Sequence, residues 1–126
     1  MLGAAAIVAF VATSDPPAAR AFYAETLGLR FVADEPVALV FDAGGTQLRI
    51  QKVPGHTPQP YTALGWRVTD IAATVAALAS RGARFERFPG LTQDVAGLWL
   101  APDGSRVAWF KDPDGNLLSL TQYAAS

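Results

Sequence analysis

From Ala6 to Ala12 the chain is apolar without a break, the pattern of a buried strand. Asp15 then stands before Pro16 and Pro17, an N-cap residue followed by proline at the first helical position. Phe22, Tyr23, Thr26 and Leu27 supply the inner stripe of the predicted helix. Gly28 falls where a C′ glycine would end it, and "LRFV" (29–32) resumes as strand. The same order returns from residue 62. "TALGWRV" reads as a strand, Asp70 as a cap, and Ile71, Val75 and Leu78 lie at i, i+4 and i+7 along a helix stopped by Gly82. "ARFERF" (83–88) then reads as strand.

The closing strand pairs match as well. "VALVFDAGGTQLRI" (37–50) lies over "VAWFKDPDGNLLSL" (107–120) without a gap, with Asp42 on Asp112 and Gly45 on Gly115. Asp15 to Gly45 is 30 positions and Asp70 to Gly115 is 45, so the second copy holds 15 more residues, expected as an elaborated hairpin across 89–105. Each copy therefore reads β-α-β-β-β. The predicted class is α+β: two such units paired into a curved mixed sheet that encloses a cup, helices outside. One domain spans 1–126, with unit one at about 4–52, a proline-rich linker at 53–61 and unit two at about 62–123.

Composition narrows the function. At 126 residues, 51% of them hydrophobic, the chain suits one globular domain with a real core. A formal charge of −1 offers no footprint for nucleic acid. The absence of cysteine excludes disulfides, thiolate metal sites and a cysteine nucleophile, and suits the cytoplasm. Met1–Val11 has no Lys or Arg before it and reads as strand rather than signal peptide, and no run approaches the ~20 apolar residues of a membrane span.

"FYAETLGLRF" (22–31), "GWRVTDIAATVAALASRGARF" (65–85) and "FKDPDGNLLSL" (110–120), in this order and duplicated, resemble the vicinal oxygen chelate superfamily. That group includes glyoxalase I, bleomycin and fosfomycin resistance proteins and extradiol dioxygenases. The resemblance implies one metal ligand on the first and one on the last strand of each unit. Those positions hold Val8, Arg49, Ala63 and Ser119. None is a carboxylate or imidazole, so no metal and no cofactor are expected. His56, in the linker, reads as a solvated surface residue, and Asp42, Asp112 and Asp114 as turn formers.

Strand alternation extends the cup face to Val8, Phe10 and Ala12; Gln47, Arg49 and Gln51; Ala63, Gly65 and Arg67; and Leu117, Ser119 and Thr121. Leu39 and Phe41, and Trp109 and Lys111, are assigned to it on the preceding strands. The candidate ligand-binding residues are Arg49, Arg67, Gln47, Gln51, Phe10, Phe41, Trp109, Lys111, Ser119 and Thr121. The two arginines are expected to meet a ligand carboxylate or phosphate, or to pair with a protein carboxylate such as Glu86 or Asp94. Trp99 reads as a lid, a partner contact or ordinary packing.

The expected function is metal-free binding of a small, partly apolar, anionic molecule. The alternative is an enzyme of the same superfamily, metal-independent with Glu25, Glu86, Tyr61 or His56 at the cup, or, ranked lower, divalent-metal-dependent. No catalytic pair is visible in the sequence. The apolar run Leu98, Trp99 and Leu100 suggests a homodimer, with no nucleic-acid or membrane partner.

Overall fold

The computed structural model describes residues 1–125. After a short turn at Leu2–Ala4, unit one runs β1 (Val8–Thr13), α1 (Pro16–Ala21), β2 (Arg30–Asp34), β3 (Ala38–Ala43) and β4 (Thr46–Lys52). Unit two runs β5 (Thr62–Arg67), α2 (Ile71–Ser80), β6 (Trp99–Leu100), β7 (Arg106–Lys111) and β8 (Leu117–Gln122). The fold is α+β, with two four-stranded mixed sheets ordered β1-β4-β3-β2 and β5-β8-β7-β6. In each, the first and last strands are parallel and the hairpin is antiparallel.

Both helix starts form as their sequences predict. The Asp15 carboxylate accepts from Ala18 N–H at 3.3 Å and Asp70 from Ala73 N–H at 3.1 Å. Gly28 and Gly82 end the helices at φ +73° and +97°, where a side chain would be strained. Beyond Ala21, α1 widens into a π turn over Phe22–Thr26, in which Leu27 N–H donates to Phe22 C=O at 3.0 Å. Phe22 and Tyr23, adjacent in sequence, both reach the interior there. The Phe22 ring lies 6.4 Å from Phe110 of β7, and the Tyr23 ring 6.1 Å from Phe41 of β3. The helix extension is thus wedged between the units, and one continuous core takes residues from both, Leu48 and Ile50 as well as Leu118 and Leu120.

The expected strand at "ARFERF" shrinks to a single bridge, Phe85 with Phe110. The cause is Gln93. Its side chain accepts from Phe88 N–H at 2.8 Å and donates to the carbonyls of Glu86 and Gly97 at 2.9 and 2.8 Å, occupying groups that a strand ladder needs. Arg87 adds 2.9 Å bonds to the carbonyls of Gln93 and Asp94. Pairing with β7 resumes only at β6, inside the predicted elaboration. Among the described residues no helix is long and apolar enough to cross a membrane.

Candidate functional site

In unit one, Val8, Phe10 and Ala12 of β1 stand opposite Gln47, Arg49 and Gln51 of β4, so the six side chains share one face. It is the face away from the core. Val8 is 40% and Phe10 50% exposed, while Leu48 and Ile50, the alternates on β4, are buried. β3 adds Val40 opposite Arg49 and Ala38 opposite Gln51. Leu39 and Phe41 pair with Ile50 and Leu48 and belong to the core, which removes Phe41 from the cup. The reason is turn length. β3 and β4 are joined by two residues, Gly44 and Gly45, and β7 and β8 by five, 112–116, so the repeats slip by one position across the hairpin. One position reverses every side chain.

Arg49 is held within its own unit. Its Nη2 lies 2.9 Å from Glu35 Oε1 and its Nη1 3.4 Å from Gln47 Oε1. The carboxylate it meets is thus Glu35, neither Glu86 nor Asp94. A quarter of the side chain stays accessible, at 24%.

In unit two, Ser119 stands between Trp109 and Gly65, Thr121 between Val107 and Arg67, and Leu117 opposite Lys111. A Cβ on Gly65 would fall 2.6 Å from Ser119 Oγ, so the serine hydroxyl rests against bare backbone. Ala63 occupies a bulge, and Thr62 takes the pairing with Leu117. Trp109 packs edge-on to Phe88 at 5.3 Å and tilted to Trp99 at 6.0 Å. Trp99 pairs with Val107 and so shares the Ser119 and Thr121 face. The result is a half-buried aromatic wall beside two hydroxyls. Lys111 pairs with Glu86 at 3.4 Å, and the Arg67 guanidinium sits 5.2 Å from the centre of the Tyr123 ring.

The two faces meet at a seam pocket of about 210 Å³, lined by Phe10, Ala12 and Gln51 from unit one, Ala63 and Leu117 from unit two, and His56 and Tyr61 from the linker region. His56 is half-buried rather than solvated, with Nε2 2.7 Å from Asn116 Oδ1.

The turn behind it is more than a turn. Buried Asp112 accepts from the backbone N–H groups of Asp114 and Asn116 at 3.0 and 2.9 Å, from Asn116 Nδ2 at 2.8 Å and from the Tyr23 hydroxyl at 2.7 Å. Asp114 accepts from the Thr13 and Ser14 hydroxyls and from Ser14 N–H, tying the turn to the end of β1. Sequence reasoning assigned these carboxylates to the turn alone. The only earlier signal was an unusual density of acceptors in "DPDGN".

Burial, reinforced by the charge and hydrogen bond of Asp112, pushes the Tyr23 phenol far above its ordinary value. The folded state therefore keeps this proton while the unfolded chain gives it up near pH ~10. The stability it contributes is complete below pH ~10 and falls above it by about 1.4 kcal/mol per pH unit. Tyr23→Phe should cost roughly 1–3 kcal/mol at neutral pH. Its deficit against the parent should shrink by about 1 kcal/mol between pH ~10 and ~11 in urea titrations. A deficit independent of pH would show that Tyr23 ionises in the folded state.

The residues at the metal positions do not fit a divalent cation. Val8 and Ala63 have no donor atoms, Arg49 is cationic and ion-paired, and Ser119 is a single neutral hydroxyl. Among the described residues no three His, Cys, Asp or Glu side chains cluster to hold an ion.

Residues 5–120 match the family model described as the Glyoxalase/Bleomycin resistance protein/Dioxygenase superfamily. The chain belongs to that superfamily. No curated protein matches the sequence. Among solved structures, TnmS3, an antibiotic binding protein from Streptomyces sp. CB03234, is 29% identical, with TM-score 0.70 over 96% of this chain and 98% of that one. A superfamily member from Sphaerobacter thermophilus DSM 20745 is also 29% identical, with TM-score 0.71 over 93% and 97%. The bleomycin resistance determinant encoded on transposon Tn5 is 24% identical, with TM-score 0.73 over 94% and 98%, a likeness that shows the fold. Superfamily membership thus joins a cup face with an aromatic wall to metal positions that lack ligands.

Proposed function

We propose that the chain is a metal-free binding protein that holds a small, partly aromatic, anionic molecule against its cup faces in the cytoplasm. The observations that carry this reading are the Trp99, Trp109 and Phe88 wall on the cup face of unit two and, on that of unit one, a partly accessible Arg49 where a metal enzyme would place a ligand. Stacking against that wall supplies affinity, and the guanidinium supplies a bidentate partner for a carboxylate or phosphate. TnmS3, an antibiotic binding protein of comparable length, supports the sequestering role.

Because Glu35 already occupies Arg49, an anionic ligand has to displace it. In a thermal-shift screen of aromatic carboxylates, aromatic phosphates and neutral aromatics, followed by calorimetry, anionic aromatics should rank first. Arg49→Ala should weaken them about tenfold, a loss of roughly 1.4 kcal/mol, and Glu35→Gln should strengthen them by removing the competitor. Dialysed protein should carry no stoichiometric divalent metal by elemental analysis. Neutral ligands indifferent to both substitutions, or one metal ion per chain, would overturn the reading.

The cup faces are open in the single chain, with Val8 at 40% and Phe10 at 50% exposure, apolar surface that a second copy can cover. A homodimer that covers them follows. Light scattering at high micromolar concentration should give twice the 13.3 kDa chain mass, and a monomer mass would count against it.

A further inference from the structure

The chain has one histidine, and the cup-face reading makes no use of it. Its protonation pattern can be read from its neighbours. Asn116 Nδ2 lies 2.8 Å from the Ala12 carbonyl oxygen and 2.8 Å from Asp112 Oδ2. These two acceptors take both amide protons, and exchanging the amide atoms would set oxygen against oxygen twice. Oδ1 therefore faces His56 Nε2 at 2.7 Å and must receive a proton from it. The neutral ring is the Nε2–H tautomer, and Nδ1 keeps its lone pair. Behind Asn116, the Asp112 carboxylate is saturated by four donors and polarises the amide toward the ring.

The pocket this imidazole lines has apolar walls, Phe10, Ala12, Ala63 and Leu117, and none of its lining residues is Asp, Glu, Lys or Arg. A cationic group would enter without counter-charge. A carboxylate would find no cation among the lining residues. An uncharged donor on an apolar ring suits both the walls and the ring nitrogen. At about 210 Å³ the space exceeds the ~150 Å³ cavity that admits benzene.

We propose that the seam pocket is a subsite for an uncharged O–H donor on an aromatic body, a phenol, whose proton is shared with His56 Nδ1. The proposal rests on the cup faces being a ligand site and names one group of that ligand. With a single histidine, the long-range ¹H–¹⁵N spectrum of the untagged, ¹⁵N-labelled chain shows one imidazole. It should report the Nε2–H tautomer. 4-Methylphenol should shift Nδ1 and bind about tenfold more tightly than 4-methylanisole, which lacks the donor. Benzoate should leave Nδ1 unmoved. His56→Gln keeps an N–H for Asn116 Oδ1 but removes the basic nitrogen, so it should fold and bind the phenol and the ether alike. Trp109→Ala should leave the preference for the phenol intact.

An Nδ1–H tautomer, or equal binding of phenol and ether with Nδ1 unmoved, overturns the proposal. The cup-face reading still stands if aromatic anions bind through Arg49. Absence of binding by every probe and every aromatic anion overturns both.

Discussion

Phe110→Ala should lower folding stability by about 3–5 kcal/mol, a large share of the 5–15 kcal/mol typical of a domain. Phe110 is fully buried on β7, with the rings of Phe85 at 5.4 Å and Phe22 and Trp66 each at 6.4 Å. Phe22 comes from unit one, so the truncation opens a void where the two units share their core. The surrounding strands cannot collapse into it without breaking the pairing of Phe110 with Leu118. Phe110→Leu, which fills most of the volume, should cost less than half as much. Urea unfolding followed by tryptophan fluorescence gives both values. A loss under about 1 kcal/mol for the alanine variant would mean that the units are held elsewhere.

What the sequence made legible was whatever is written locally. The caps at Asp15 and Asp70, the C′ glycines and the duplicated order depend on residues within a turn of one another. The cup faces of β1, β4 and β8 followed because alternation carries a known position along its own strand. Phe41 was misplaced because the inference had to cross a hairpin, and its five-residue counterpart in unit two shifts the parity. The strand expected at 83–88 failed for another reason: nothing in its own residues shows that Gln93 will take its backbone groups. Pairings between distant segments were out of reach altogether. Glu35 reaches Arg49 across 14 positions, His56 reaches Asn116 across 60 and Tyr23 reaches Asp112 across 89. Spacing and periodicity carry no information about which turn docks on which helix.

The longest of these connections sets the second large effect. Asp112→Ala should destabilise the protein by about 4 kcal/mol, because four donors lose their acceptor at once. Two are backbone N–H groups of the turn. The others are the Asn116 amide and the Tyr23 hydroxyl, and Tyr23 itself is fully buried. Each buried donor left unsatisfied costs roughly 1–3 kcal/mol, and the total stays below their sum because the turn relaxes toward water. The Asp114 bonds to Thr13 and Ser14 start from the same turn, so its loosening also frees the end of β1 and the pocket lined by His56. A double-mutant cycle isolates the inter-unit part. In Asp112→Ala/Tyr23→Phe the orphaned hydroxyl is gone, and the pair should cost about 1–2 kcal/mol less than the two single changes added together. The imidazole resonance of His56 should move in Asp112→Ala and stay in place in Tyr23→Phe, since only the first disturbs Asn116. Strict additivity in the cycle would mean that the Tyr23 bond to Asp112 contributes nothing to joining the units, which would then rest on apolar packing around Phe110 and on the bonds of Asp114 and Asn116 to the end of β1.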